Sequence, residues 1–425
     1  MKETPYWWDT TTFPEGEPEP PAGAVDVAVI GAGITGLSAA LELARQGLRT
    51  AVLETHTLGW GASSRNGGQV LTGLHAGPDL LLKRYGTDLG RRLYAASLDS
   101  LDTVERLTQT EDIACDFART GHLEVAARPS HFPTLIEGAA ALEQAFGHSL
   151  QPLTRDQIAI ELGTDVYYGG LLDPQSATIN PARYTAGLAV AARRHGARLF
   201  DRASVDRLTR DGGRWRVITR RGALLAERVF VATSGYTGAA TPAFQKRLVP
   251  FGSYMIATEP LPPEVAAGVI AQRRAVFDTN KFLHYFQRSV DNRLLFGGRA
   301  GFYPETEQTV RESAAILQRD LIRIFPQTTG AAVTHVWGGT LDFAFDEMPH
   351  AGELEGLHFA LGYAGHGVAL ATYLGTRMAQ SLAGETVENP FTELRFPTAP
   401  LGMYDGRPWF LPALSVVFRL MDRLG

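Results

Sequence analysis

The chain has 425 residues, including 45 glycines, 24 prolines and a single cysteine, with 44% hydrophobic types and a formal net charge of −5. That length exceeds one compact core and suits two domains, and the slightly acidic balance lacks the basic footprint of a nucleic-acid binder. One thiol, Cys115, leaves no internal disulfide and no thiolate metal cluster, and no metal site is expected elsewhere.

In chain order, the first 24 residues are rich in Pro, Glu and Thr and read as an extended arm, with Tyr6-Trp7-Trp8 expected to dock on the body. They carry no signal-peptide core, and no run of 18 apolar residues follows, so a cytoplasmic setting is expected. A strand at 25–30, a helix at 37–44 and a strand at 49–54 form a β-α-β unit. Helical spacing covers 79–109 as one or two helices; a strand at 121–126 and a helix at 132–146 follow. A helix at 184–195 stops at Gly196 and leads through 197–200 into a strand near Val205, and further strands are expected at 215–219 and 228–232. Beyond Thr241-Pro242 the pattern is strand-rich (251–258, 282–286, 293–296), with one helix at 309–325. Glycine returns at 338–339 and 362–367 before a helix at 368–382. The end, 409–424, reads as an amphipathic helix packed on the body, contact with a membrane surface being the alternative.

The glycine share, about 11% against roughly 7% on average, calls for a reason. Gly31-Ala32-Gly33-Ile34-Thr35-Gly36 lies between a strand and a helix, and Glu54 closes the next strand. This is the dinucleotide fingerprint in context: Gly31 for the turn, Gly33 for approach of the pyrophosphate, Gly36 for helix–strand packing, Glu54 for ribose hydroxyls. NAD and FAD share it.

The segment after Glu54 separates them. Gly59-Trp60-Gly61-Ala62-Ser63-Ser64-Arg65-Asn66-Gly67-Gly68-Gln69 is a long loop of small residues and backbone donors. With Trp337-Gly338-Gly339, Gly362-Tyr363-Ala364-Gly365-His366-Gly367 and the arm Tyr6-Trp7-Trp8-Asp9-Thr10, it resembles the D-amino-acid-oxidase-like superfamily of FAD-dependent oxidoreductases, and within it the γ-glutamylputrescine oxidase group. The resemblance spans nearly the whole chain. It implies that Gly31, Ala32, Gly33, Ile34, Thr35, Gly36, Glu54 and Thr55 hold the ADP half of FAD. Gly61, Ala62, Ser63, Ser64 and Arg65 would line the pyrophosphate and ribityl region, and Asn66, Gly67, Gly68 and Gln69 the isoalloxazine. It further implies adenine contact at Val205 and cofactor contacts at Thr233, Gly235, Gly339, Gly365, Gly367 and Val368. Some relatives attach flavin to a cysteine seven residues before an aspartate; counting back from Asp346 reaches Gly339, so the FAD is expected to be non-covalent.

The expected fold is α/β. A discontinuous Rossmann-like FAD domain (25–78, 151–240, 333–395) is interrupted by a substrate domain with a mainly antiparallel sheet plus helices (79–150, 241–332), flanked by the arm (1–24) and a tail (396–425). Candidate substrate or catalytic residues are Tyr254, Lys281, His284 and Arg299, with Tyr285 beside them, and His366 at the opening of the last helix. A sarcosine-oxidase-like lysine is missing from Arg293-Leu294-Leu295-Phe296, leaving Lys281 as a substitute or a different electron acceptor. The resemblance implies hydride transfer to flavin N5 from the carbon beside the nitrogen of a small-molecule amine, imine hydrolysis to an aldehyde or keto acid, and O2 reduced to H2O2. A dehydrogenase feeding a quinone or other carrier, and a non-catalytic nucleotide-binding protein, are the rival readings. The substrate stays open among γ-glutamylated diamines, secondary amino acids and D-amino acids, as does the oligomeric state.

Overall fold

The computed structural model describes residues 1–301, 306–399, 402 and 404–411, without the side chains of 299–301. The side chain of Arg299, and residues 412–424 of the tail helix expected at 409–424, lie outside the described residues.

In chain order the strands begin β1 (Ala24–Ile30), β2 (Thr50–Leu53), β3 (Gln69–Val70), β4 (His122–Val125), β5 (Gln151–Leu153) and β6 (Gly170–Asp173). They continue β7 (Ala177–Thr178), β8 (Arg198–Phe200), β9 (Val205–Asp211), β10 (Arg214–Thr219), β11 (Ala223–Val231) and β12 (Leu248–Thr258). The last are β13 (Ala275–Asp278), β14 (Tyr285–Arg288), β15 (Leu294–Gly301), β16 (Val333–Ala344), β17 (His350–Leu354) and β18 (Leu357–Leu361). The helices are α1 (Ile34–Arg45), α2 (Pro78–Thr110), α3 (His131–Phe146), α4 (Arg155–Leu162) and α5 (Pro181–Arg194). After them come α6 (Pro242–Gln245), α7 (Pro263–Ala267), α8 (Glu307–Ile324) and α9 (Gly367–Leu382).

The first sheet runs β17-β18-β11-β1-β2-β8, with the β9–β10 ribbon extending from β11. β1 pairs in parallel with β2 and β11. Burial on both faces explains its apolar run: Val27 and Val29 pack with α1, α5 and α9, while Ala28 and Ile30 pack on the ribbon side. α1 and α9 cross closely enough that a Cβ at Gly375 would fall 2.4 Å from Thr35 O. α2 contains a break at Gly86 (φ 77°), and beyond it Leu93, Leu101 and Val104 are buried in the same core.

The second sheet runs β16-β12-β15-β14-β13-β4-β6-β5 and is antiparallel apart from the β13–β4 pair. One face is covered by α8, whose Leu317 and Leu321 pack with Ile256, Phe286 and Phe296. The packing corrects the sequence division in three places. β5 and β6, from 151–240, and β16, from 333–395, belong to it and not to the first sheet, while α2, from 79–150, packs in the first sheet's core. Periodicity identifies a strand or helix, but its partner is chosen by long-range pairing.

The arm docks as expected. Tyr6–Thr10 forms a 3-10 turn, and Tyr6 and Trp7 are buried against Met255, Ala257, Leu295 and Trp337. No helix among the described residues is long and apolar enough to cross a membrane.

Candidate active site

A cavity of about 1540 Å³ lies between the two sheets. At one end its wall is the β1–α1 turn. Gly31 adopts φ +103°, and a Cβ there would sit 2.7 Å from Ala232 O; a Cβ at Gly36 would sit 1.9 Å from Gly31 O. Gly33 begins α1 without a side-chain cap, and Gly31, Gly33, Ile34 and Thr35 all line the cavity. A helix start with no side chain at its N-cap, together with the positive end of the helix dipole, suits a phosphate. Glu54 accepts from Ala32 N–H at 2.8 Å and His56 N–H at 2.9 Å, which fixes its carboxylate at the wall beside Thr55. A turn that excludes any Cβ, an open helix N-terminus and a positioned acid together fit the ADP half of a dinucleotide.

The 59–69 loop continues this cradle. Gly61, Ala62, Ser63, Arg65, Asn66, Gly67 and Gln69 line the cavity. Ser63 Oγ accepts from Ile34 N–H at 2.8 Å, tying the loop to α1. Asn66 Nδ2 donates to Ser63 O at 2.9 Å while its Oδ1 accepts from Gly68 N–H at 2.9 Å. The Arg65 guanidinium lies between the Trp8 and Trp60 rings, 4.7 and 4.3 Å from their centroids, and its Nε donates to Trp60 O at 2.7 Å. Ala32, Gly36, Ser64 and Gly68 stand behind the wall and shape it. Ser64 Oγ donates to Gly59 O at 2.6 Å, and Gly68 (φ +67°) backs onto Ile179 O. Val205 opens the β9–β10 ribbon, packs against the first sheet's core and is absent from the cavity wall.

Thr233, Gly235, Gly339, Gly365, His366, Gly367 and Val368 line the opposite side. The turn before α9 hangs on the buried Asp342, which accepts from Gly362 N–H at 2.6 Å and Tyr363 N–H at 3.2 Å. α9, too, starts without a side-chain cap, at His366. Gly365 owes its identity to φ +89°, since a Cβ there meets nothing within 4 Å. His366 Nδ1 is buried and has no hydrogen-bond partner among the described residues; burial, with His75 nearby, pushes this imidazole down to about 4.

The remaining wall is one face of the second sheet. Register aligns Leu171, Glu124, Phe277, Tyr285, Gly297, Met255 and Trp337 across seven strands. Side chains alternate along each strand, so Tyr254 and His284 fall on the other face, under α8, and not at the cavity. Tyr254 is buried and donates to Thr309 Oγ1 at 2.9 Å. His284 contacts Asp278 at 2.9 Å and Asp320 at 3.5 Å. Burial opposes its charged form, yet those two carboxylates outweigh it and raise the group to about 9. These two candidates are therefore corrected to structural roles, because alternation alone does not say which face is roofed by a helix. Lys281, in the β13–β14 turn, does line the cavity.

Several wall residues were not singled out from sequence. His122 and Glu124 project together from β4, and Asp173 from β6. Asp173 accepts from Ser176 Oγ and Thr72 Oγ1 at 2.6 Å each and from Gln175 N–H at 2.9 Å, and contacts His148 Nε2 at 3.3 Å. Burial disfavours its charge, but those donors hold it well below the usual carboxylate range. His148 Nδ1 in turn meets Tyr94 OH at 2.5 Å. The available signal was the polar–apolar alternation of His122-Leu123-Glu124-Val125 in a strand between apolar neighbours.

The family described as "FAD dependent oxidoreductase", DAO, matches residues 26–381. The chain belongs to this family. It is an FAD-dependent oxidoreductase. Among curated relatives, it is 33% identical to the probable oxidoreductase OrdL of Haemophilus influenzae over 90% of this chain and 88% of that one. It is 32% identical to the gamma-glutamylputrescine oxidoreductase of Escherichia coli, over 94% and 93% respectively. The fold resembles glycine oxidase from Geobacillus kaustophilus, with TM-score 0.72, 22% identity, and 88% and 99% of the two chains covered.

Proposed function

We propose that this oxidoreductase acts on a small amine or amino acid, oxidising the carbon beside a nitrogen to an imine that water opens to an aldehyde or keto acid. Bound FAD supplies the hydride acceptor, and O2 as final acceptor would leave H2O2. The observation that carries this reading is the cavity itself. A dinucleotide cradle at one end runs into a chamber walled by Glu124, His122, Tyr285 and His366 at the other. The likeness to gamma-glutamylputrescine oxidoreductase supports an amine substrate.

In this reading the Gly31–Gly36 turn gives the pyrophosphate room to approach the α1 N-terminus, which would hold it, and Glu54 would face ribose hydroxyls. The turn held by Asp342 leads into the α9 N-terminus, which lacks a side-chain cap and would direct positive dipole density toward the cofactor's far end. His366, kept neutral by burial, offers a ring nitrogen without adding charge. The second sheet confines the substrate and limits water, so positioning and desolvation are its contribution. The cofactor is held without a covalent bond: the late family cysteine position is Gly339, and Cys115 is buried in the first sheet's core with its thiol pushed up to about 12 by burial.

The test is anaerobic addition of γ-glutamylated diamines, secondary amino acids and D-amino acids to the flavin-loaded protein. Bleaching by one class, then recovery of colour in air with stoichiometric peroxide and carbonyl product, is expected; no bleaching by any class would sink the reading. The lack of lysine in Leu294–Gly301 favours a second reading, a dehydrogenase. Bleaching followed by very slow recovery in air would select it.

A further inference from the structure

Acidic groups at the cavity wall are otherwise satisfied from within the chain. Asp173 holds four contacts, Asp342 two backbone amides, Glu54 two more, and Asp278 binds His284 and Asn280. Glu347, near the mouth, faces His75 at 3.6 Å. Glu124 differs: among the described residues no hydrogen bond or ion pair reaches its carboxyl. Its cross-strand neighbours on the same face are Leu171 and Phe277, both apolar. Burial with no offsetting cation raises the group to about 7.

A carboxyl set in an apolar wall without a partner is costly to a fold, and such groups persist where a ligand completes them. What completes a carboxylate is a cation with hydrogen-bond donors, and what fits between Leu171 and Phe277 is one carried on an alkyl stem. Nearby His122 does not compete. Its Nε2 is buried without a hydrogen-bond partner among the described residues, and burial, only partly offset by Asp173, drives it down to about 3, so it stays neutral.

We infer that Glu124 is the specificity-determining residue that recognises an alkylammonium group of the substrate inside the cavity. This rests on reading the cavity as an amine site and adds the residue that distinguishes an ammonium from a neutral isostere. Substrates with a cationic nitrogen on an alkyl chain are favoured over those whose only charge is a carboxylate.

The test uses flavin-loaded protein and two probes of one shape, n-butylammonium chloride and n-butanol, with binding measured by calorimetry at pH 8. Native protein should bind the ammonium at least tenfold more tightly than the alcohol. Glu124→Gln should reduce that ratio below threefold, and Glu124→Asp should retain part of it, with flavin content unchanged in both. A native protein without the preference, or a glutamine variant that keeps it, overturns the inference. Should the glutamine variant lose flavin, Glu124→Asp decides: an intermediate ratio supports the inference and an unaltered one overturns it. Failure here leaves the bleaching experiment untouched. Conversely, an ammonium preference lost in Glu124→Gln in a protein that no amine bleaches would keep the inference and sink the proposed reaction.

Discussion

The indole Nε1 of Trp8 donates a hydrogen bond to Ser64 Oγ at 2.8 Å, so the amino-terminal arm is fastened to the loop that lines the cofactor cradle. Trp7 adds a second tie to Asn66 O at 2.9 Å, and the face of Trp8 covers Arg65. Trp8→Ala should remove one hydrogen bond and one cation–π contact, about 2 kcal/mol together. Flavin release should accelerate on the order of tenfold or more, read as the loss of flavin per protein on gel filtration. Trp8→Phe, which keeps a ring over Arg65, should lie between. Equal release from all three proteins would show the arm to be a passenger.

Two glycines at helix openings should respond very differently to one added methyl. Gly36→Ala drives a Cβ to 1.9 Å from a backbone oxygen that has no freedom to move, and should prevent stable folding around the cofactor. Gly365→Ala meets open space and bears only the left-handed φ, about 1–2 kcal/mol. Thermal melts of the two variants should differ accordingly.

Tyr254→Phe tests which face of the second sheet is which. The hydroxyl bonds Thr309 beneath α8, so its loss should lower stability by about 1 kcal/mol while kcat and KM stay within twofold of native. A large rise in KM would return Tyr254 to the cavity.

His284 makes stability depend on pH. Its folded value, about 9, lies above the ordinary 6.5, so the charged ring contributes fully below pH 6.5, and the contribution fades as pH climbs through 9. The swing is on the order of 3 kcal/mol for so buried a group. Melting temperature should fall between pH 7 and 9.5 in native protein and fall less in His284→Gln, measured side by side.

The β-α-β unit was legible because turn, helix and acid all lie within residues 24–54 and obey local rules. The chamber wall was less so. Glu124 faces Leu171 and Phe277, from strands 47 and 153 positions downstream, and no local pattern specifies that meeting. Likewise, alternation separates Tyr254 from Met255 but leaves open which one lies under α8. The glycine excess was read correctly at Gly31 and Gly36, where space is the constraint. At Gly365 the cause is a backbone angle, which composition does not reveal.

The pairing of β1 with β11, and of β11 with β18, has a consequence for biogenesis. The Gly31–Gly36 turn is synthesised within the first 40 residues, yet the helix that packs against α1, α9, ends at Leu382. A nascent chain therefore carries an exposed, unfinished half-site through most of its synthesis. Completion of the cradle is therefore expected only after α9 has emerged, and a chain truncated before α9 is expected to retain no flavin however intact its fingerprint.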